Sequence, residues 1–116
     1  MGLTFIEGTV ANNGTSRKVE FLVDSGAVYS LLPQQVWKQL KLKAKRTVTF
    51  TLADGTKIKR RVSECNFVLA GEEGHSPVIL GEPGDDALLG AVTLETLGLV
   101  LNPFNRTLQP MMMRLG

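Results

Sequence analysis

Short runs in which hydrophobic and polar residues alternate fill most of the chain, and turn residues punctuate them at close intervals. From Thr4, "TFIEGTV", the turn "NNG" and "KVEFLVDSG" predict a two-stranded hairpin, because Asn13-Gly14 tolerates the positive φ angles of a tight turn. The second strand ends at Asp24. After "LLP", Val36, Trp37 and Leu40 fall at helical spacing in "QQVWKQLKL", and Pro33 suits the first helical position. In "RTVTFTLADGTKIKRRVSE", Val48, Phe50 and Leu52 alternate with threonines, and the pattern turns at Asp54-Gly55 and resumes through Ile58 and Val62. "CNFVLA" and "SPVIL" predict two further strands around a "GEEGH" turn, and "GEPGDD" a loop. Thr93 to Leu97 predict a short helix ended by Gly98, and "LGLVLNPFNRTLQP" a last hairpin turning near Asn102 to Arg106. Many short strands with one or two short helices favour an all-β barrel or folded sheet over a layered α/β design.

A length of 116 residues leaves little room for a second core, so residues 1–116 are expected to form a single domain. Hydrophobic residues at 43% and charged residues at 21% are those of an ordinary folded domain. Lys38, Lys41, Lys43, Lys45 and Arg46, then Lys57, Lys59, Arg60 and Arg61, form basic clusters. The net charge is only +2, however, and the clusters read as solvated faces, so no nucleic-acid partner is expected. Cys65 is the single cysteine; it excludes an internal disulfide, fits a reducing compartment and sits in "CNFVLA" as a packing residue. "MGLTFIEGTV" has no basic segment leading into an apolar stretch, and no window approaches the about 20 apolar residues of a membrane span. The expectation is a cytoplasmic protein without a membrane partner.

Candidate chemistry narrows quickly. A serine triad needs a histidine base, and the single histidine, His75, lies in a polar stretch away from any nucleophile motif. One Cys and one His do not make a zinc site, "GEPGDDALLG" lacks the Lys-Ser/Thr pair of a phosphate loop, and Asp85-Asp86 is too short a ladder of oxygens for calcium. No metal and no cofactor are expected. Asp24 remains. "DSG" alone is ordinary turn chemistry, but an acid directly after "VEFLV" is expected to be partly desolvated, which makes it a candidate acid or base.

Three motifs, in order and at similar spacing, resemble the retropepsin-like single-domain aspartic proteases, which include retroviral proteases and similar bacterial and archaeal proteins. "FLVDSGA" resembles the catalytic signature, "TLADGTKI" the flap hairpin, and "ALLG" followed by "TLETLGLVLNP" the second signature leading into a short helix and strand. The resemblance covers nearly the whole chain and implies a closed acid-protease β-barrel acting as a homodimer.

By the same resemblance, Asp24 is the catalytic aspartate, Ser25 braces the active-site loops across the subunit boundary, and Gly26 permits close approach of backbone and substrate. Ala27 lines the cleft floor, Ala53, Asp54 and Gly55 form a flap tip over the substrate, and Leu88, Leu89 and Gly90 support the catalytic loop. Ala91 stands where retroviral members usually carry Arg, and the flap tip has one glycine in place of a glycine-rich string. Peptide hydrolysis needs one carboxylate to activate water and one carboxylic acid to protonate the carbonyl oxygen. The chain has no second "DSG" or "DTG", so the expected enzyme is an aspartic endopeptidase whose homodimer pairs two copies of Asp24 on a peptide or protein substrate. The alternative is a catalytically silent dimer that binds a peptide or protein in the same cleft.

Overall fold

The alternating runs become strands whose apolar positions face one interior. The computed structural model describes residues 3–24, 26–112 and 115. The strands β1 (Phe5–Asn12) and β2 (Thr15–Val23) form the first hairpin. Its turn is the predicted one, with Asn13 and Gly14 both at positive φ (48° and 84°). A short β3 (Ser30–Leu32) leads into α1 (Gln34–Gln39). Then come β4 (Arg46–Thr51), β5 (Lys57–Leu69), β6 (Glu72–Leu80) and a two-residue β7 (Leu88–Leu89). The helix α2 (Ala91–Thr96) and the hairpin β8 (Leu99–Asn102) and β9 (Thr107–Pro110) complete the chain.

The main sheet runs β1-β2-β7-β3-β6-β5-β4, and β1 pairs again with β5. Six strands therefore close into a ring, the all-β barrel expected from sequence, and β4 stands outside it, paired among the described residues only with β5. Inside the ring Phe21 and Phe67 pack at a centroid distance of 5.9 Å, among Val10, Leu32, Leu69, Val78, Leu89 and Leu99. Cys65 is buried in this core, where burial pushes its thiol pKa up to about 12 and leaves it an inert packing group. Val36 and Trp37 of α1 are buried against the barrel, and Trp37 Nε1 donates to the Gly81 carbonyl at 2.8 Å.

Three local expectations are corrected. Pro33 lies one residue before α1, with an extended ψ of 151° that continues β3, and its carbonyl accepts the N–H groups of Val36 and Trp37. The turn between β5 and β6 is Ala70-Gly71, both at positive φ, and not "GEEGH". The pairing that runs from Leu69↔Glu72 to Val62↔Ile79 draws Glu72 to His75 into the ladder, so His75 is an exposed strand residue and "CNFVLA" is the far half of one long β5. The second helix starts at Ala91, two residues before the expected Thr93, and Gly98 ends it at φ 69° as expected.

Candidate active site

Asp24 stands where β2 leaves the barrel. Its N–H donates to the Leu89 carbonyl at 2.9 Å, continuing the parallel pairing of Leu22 with Leu88 and Val23 with Leu89. The chain then turns sharply, with the Ala27 N–H donating to the Asp24 carbonyl at 3.0 Å and the Gly26 N–H to the Asp24 carboxylate Oδ1, also at 3.0 Å. A Cβ on Gly26 would lie 3.2 Å from that same oxygen, so the small residue keeps the carboxylate clear. Asp24 itself is exposed, which corrects the expected desolvation: the apolar run ends at Val23, and the turn carries the next side chain out of the core. Ser25, the expected brace, lies outside the described residues.

The predicted support residues underlie this turn. Leu88 and Leu89 are wedged between β2 and β3, with Leu31 opposite Leu88. The first N–H groups of α2 reach back to the loop, Ala91 to the Ala27 carbonyl at 2.8 Å and Val92 to the Val28 carbonyl at 3.0 Å. Gly90 is packed so closely that a Cβ there would fall 2.6 Å from the carbonyl carbon and oxygen of Tyr29. Ala27, expected on the cleft floor, is half-buried in this loop.

Sequence reasoning missed two groups. Beneath the loop, Ser30, Ser76 and Thr93 form a buried hydroxyl chain: the Gly90 N–H donates to Ser30 Oγ at 2.9 Å, Ser30 Oγ bonds Thr93 Oγ1, and Thr93 Oγ1 lies 2.8 Å from Ser76 Oγ. The available signal was three hydroxyl residues inside apolar runs, "YSLLP", "SPVIL" and "AVTLE". Tyr29 is the second. Its hydroxyl accepts from Arg46 Nη2 at 2.8 Å, and its ring meets Phe50 edge-on at 5.9 Å, tying the Asp24 loop to β4 from its first residue almost to its last.

The residues expected as a flap tip lie at the turn of that hairpin. Ala53, Asp54 and Gly55 are all exposed, with Gly55 at φ 88°, the Gly55 N–H donating to the Leu52 carbonyl and the Leu52 N–H to the Thr56 carbonyl. The Thr56 N–H donates to Asp54 Oδ1 at 2.8 Å, and this bond holds the Asp54 carboxyl below its ordinary pKa. Among the described residues no group of three or more His, Cys, Asp or Glu side chains could hold a metal ion, and no helix is long and apolar enough to cross a membrane.

The turn, the two-residue strand beneath it and the projecting hairpin all lie within residues 8–96, the stretch matched by the family model described as "gag-polyprotein putative aspartyl protease". The chain belongs to this family. Its retropepsin-like fold is shared with the solution structure of Simian Foamy Virus (mac) protease, at a TM-score of 0.57 and 21% sequence identity, over 78% of this chain and 91% of that one. No curated protein sequence matches the chain. The retroviral-type aspartyl protease family and fold are thus those of this chain, and the β8–β9 hairpin falls outside the span matched by the family model.

Proposed function

We propose that the protein is a homodimeric aspartic endopeptidase, residues 1–116 forming a single protease domain that contributes one Asp24 to a shared site. The observation that carries this reading is an exposed carboxylate on a turn fixed by three backbone bonds, one to Leu89 of β7 and two from Ala91 and Val92 of α2, in a chain of aspartyl protease family. One exposed carboxylate is half of the chemistry. A second copy related by a two-fold axis supplies the other half and the missing desolvation. Exposed Leu3 just before β1 and Phe5 at its start, with Val100 and Phe104 on the last hairpin, give that copy apolar surface to cover.

In the dimer the paired carboxyls share one proton, because two adjacent negative charges repel, as in aspartic protease dyads generally. The ionised Asp24 takes a proton from water as it attacks the peptide carbonyl, and the protonated partner donates to the carbonyl oxygen. The tetrahedral intermediate collapses when the nitrogen is protonated and the C–N bond breaks. Gly26 holds one carboxylate oxygen through its N–H, and Ser25 is assigned the bracing role between loops. Ala27 lines the floor, Leu88, Leu89 and Gly90 keep the turn rigid, and Ala53, Asp54 and Gly55 close over an extended peptide, excluding water.

The test compares wild type with Asp24→Asn on a diverse peptide library from about pH 3 to about pH 7, with and without pepstatin. Cleavage is expected from wild type, strongest at acidic or mildly acidic pH, and none from the variant. Cleavage that survives the substitution, or a chain that stays monomeric at high concentration, overturns the reading. Peptide binding by a dimer that never cleaves would assign a silent binding module instead.

A further inference from the structure

The charges of the chain are unevenly placed. Between Lys38 and Arg61 lie nine of the 13 cations and one acid, Asp54, so this stretch carries +8 and the remainder −6. The fold sorts these cations by face. Lys57, Lys59 and Arg61 stand opposite Thr51, Thr49 and Thr47 on one side of the flap, and all six residues are exposed. Val48, Phe50, Ile58 and Arg60 turn to the other side and are half-buried. The stripe continues onto α1, because the Arg61 guanidinium lies 5.4 Å from the centre of the Trp37 ring and Lys38 Nζ lies 5.8 Å from it.

Ion pairing leaves the flap part of this stripe uncompensated. Among the described residues the ion pairs are Arg60 with Glu82 and Lys45 with Glu64, and neither includes Lys38, Lys57, Lys59 or Arg61. The Asp54 carboxylate accepts from the Thr56 N–H. The stripe ends at Lys38, which lines a hollow with Asp85 and Asp86.

We propose that the outer face of the flap is a docking stripe for acidic polypeptide, engaging segments of the substrate that flank the bond to be cut. The proposal rests on the peptidase reading and adds a substrate class to it. Cations at every second residue of a strand repeat at about 6.6 Å, the spacing of same-face side chains in an extended peptide, so acids at alternate positions can meet them one to one. The threonines of β4 are short and leave room for the lysine and arginine stems to reach across. Among the described residues β4 pairs only with β5, and its other edge offers backbone groups to an incoming strand.

Polypeptide is favoured over nucleic acid because the stripe has no exposed aromatic side chain on which bases stack, Trp37 being buried. It is favoured over a membrane surface because the same face carries no apolar residue to insert.

The test uses Asp24→Asn, so that binding is read without cleavage, and a fluorescent decapeptide of alternating glutamate and serine. An alternating lysine–serine decapeptide, an oligo-dT of equal length and anionic phosphatidylserine vesicles serve as competing probes. Binding of the glutamate peptide is expected to weaken about tenfold from about 50 mM to about 300 mM salt, and about tenfold in Lys57→Glu/Lys59→Glu. A control pair, Lys41→Glu/Lys43→Glu, is expected to change it less than about twofold. Lys57→Gln/Lys59→Gln covers the case in which charge reversal disturbs folding, which circular dichroism checks. Equal binding by the flap variants, or tighter binding of oligo-dT or vesicles than of the glutamate peptide, overturns the proposal. Glutamate-peptide binding by the variant, with no cleavage of any peptide by wild type, would instead fault the peptidase reading alone.

Discussion

The strand β5 passes through two environments, and the contrast between its halves organises the molecule. From Lys57 to Arg61 it pairs only with β4, and none of its side chains is buried. From Val62 to Leu69 it is held by β6 along its whole length and by β1 at Asn66, Phe67 and Val68, and it buries Val62, Cys65, Phe67 and Leu69. A hairpin of two strands is marginal by itself, whereas a strand paired on both edges opens only with the barrel. The same chain segment is therefore lightly held in the half proposed as a lid and firmly held in the half that walls the barrel. The Asp24 turn belongs to the fixed part, since its braces are backbone bonds to β7 and α2.

The largest effect is expected where the fixed part is tightest. In Gly90→Ala the new Cβ would meet the Tyr29 carbonyl at 2.6 Å, and both neighbours are backbone that cannot rotate away. Destabilisation of about 3 kcal/mol is expected in urea unfolding, the upper end for overpacking. A midpoint unchanged from wild type would mean that the floor of the site yields as readily as the flap.

Next is Thr93→Val, which keeps the shape and removes the hydroxyl between Ser30 and Ser76. Both serines are buried, so the expected loss is about 1–3 kcal/mol, with hydrogen exchange of the β4–β5 tip unchanged. Faster exchange at the tip without loss of global stability would break the separation between floor and lid.

Legibility in the sequence followed the range of the interactions. The Asn13-Gly14 and Asp54-Gly55 turns, and the alternation of Val48 and Phe50 with threonines, are local signals, and the two hairpins they announce are present. The turn at Ala70-Gly71 was hidden because Ala70 is no usual left-handed residue; pairing along β6 fixes it, not local preference. Leu88 and Leu89 could be placed under the loop only through the family resemblance, since two residues carry no periodicity. The hydroxyl chain was unreadable for a related reason: Ser30, Ser76 and Thr93 meet only after β3, β6 and α2 have assembled. Of the candidate site, Asp24, Gly26 and the proposed flap tip are named from the resemblance, but the exposure of Asp24 and the Tyr29 link are not legible.

Tyr29→Phe probes that link. The substitution keeps the edge-on contact with Phe50 and deletes the hydroxyl that accepts from Arg46. A loss of about 0.5–1.5 kcal/mol at most is expected, concentrated in faster amide exchange from Arg46 to Thr51, with Phe67 and Leu69 amides unaffected. Equal acceleration in both halves of β5 would show that lid and wall open together.

The smallest effect is expected at the flap tip, and its sign follows from Asp54. The Thr56 N–H favours the ionised carboxylate, so the folded tip titrates below the ordinary value of 3.8. The stabilisation is therefore fully present above the ordinary carboxylate range and is lost as pH falls through the lower folded value. The group is fully exposed, and the contribution stays local to the turn. The Thr56 amide resonance is expected to follow the Asp54 titration in NMR, with a midpoint below 3.8, and Asp54→Ala should abolish that response while leaving the unfolding midpoint near wild type. A midpoint at or above 3.8 would remove the tip bond. A response carried equally by the core half of β5 would instead deny that the lid has a stability of its own.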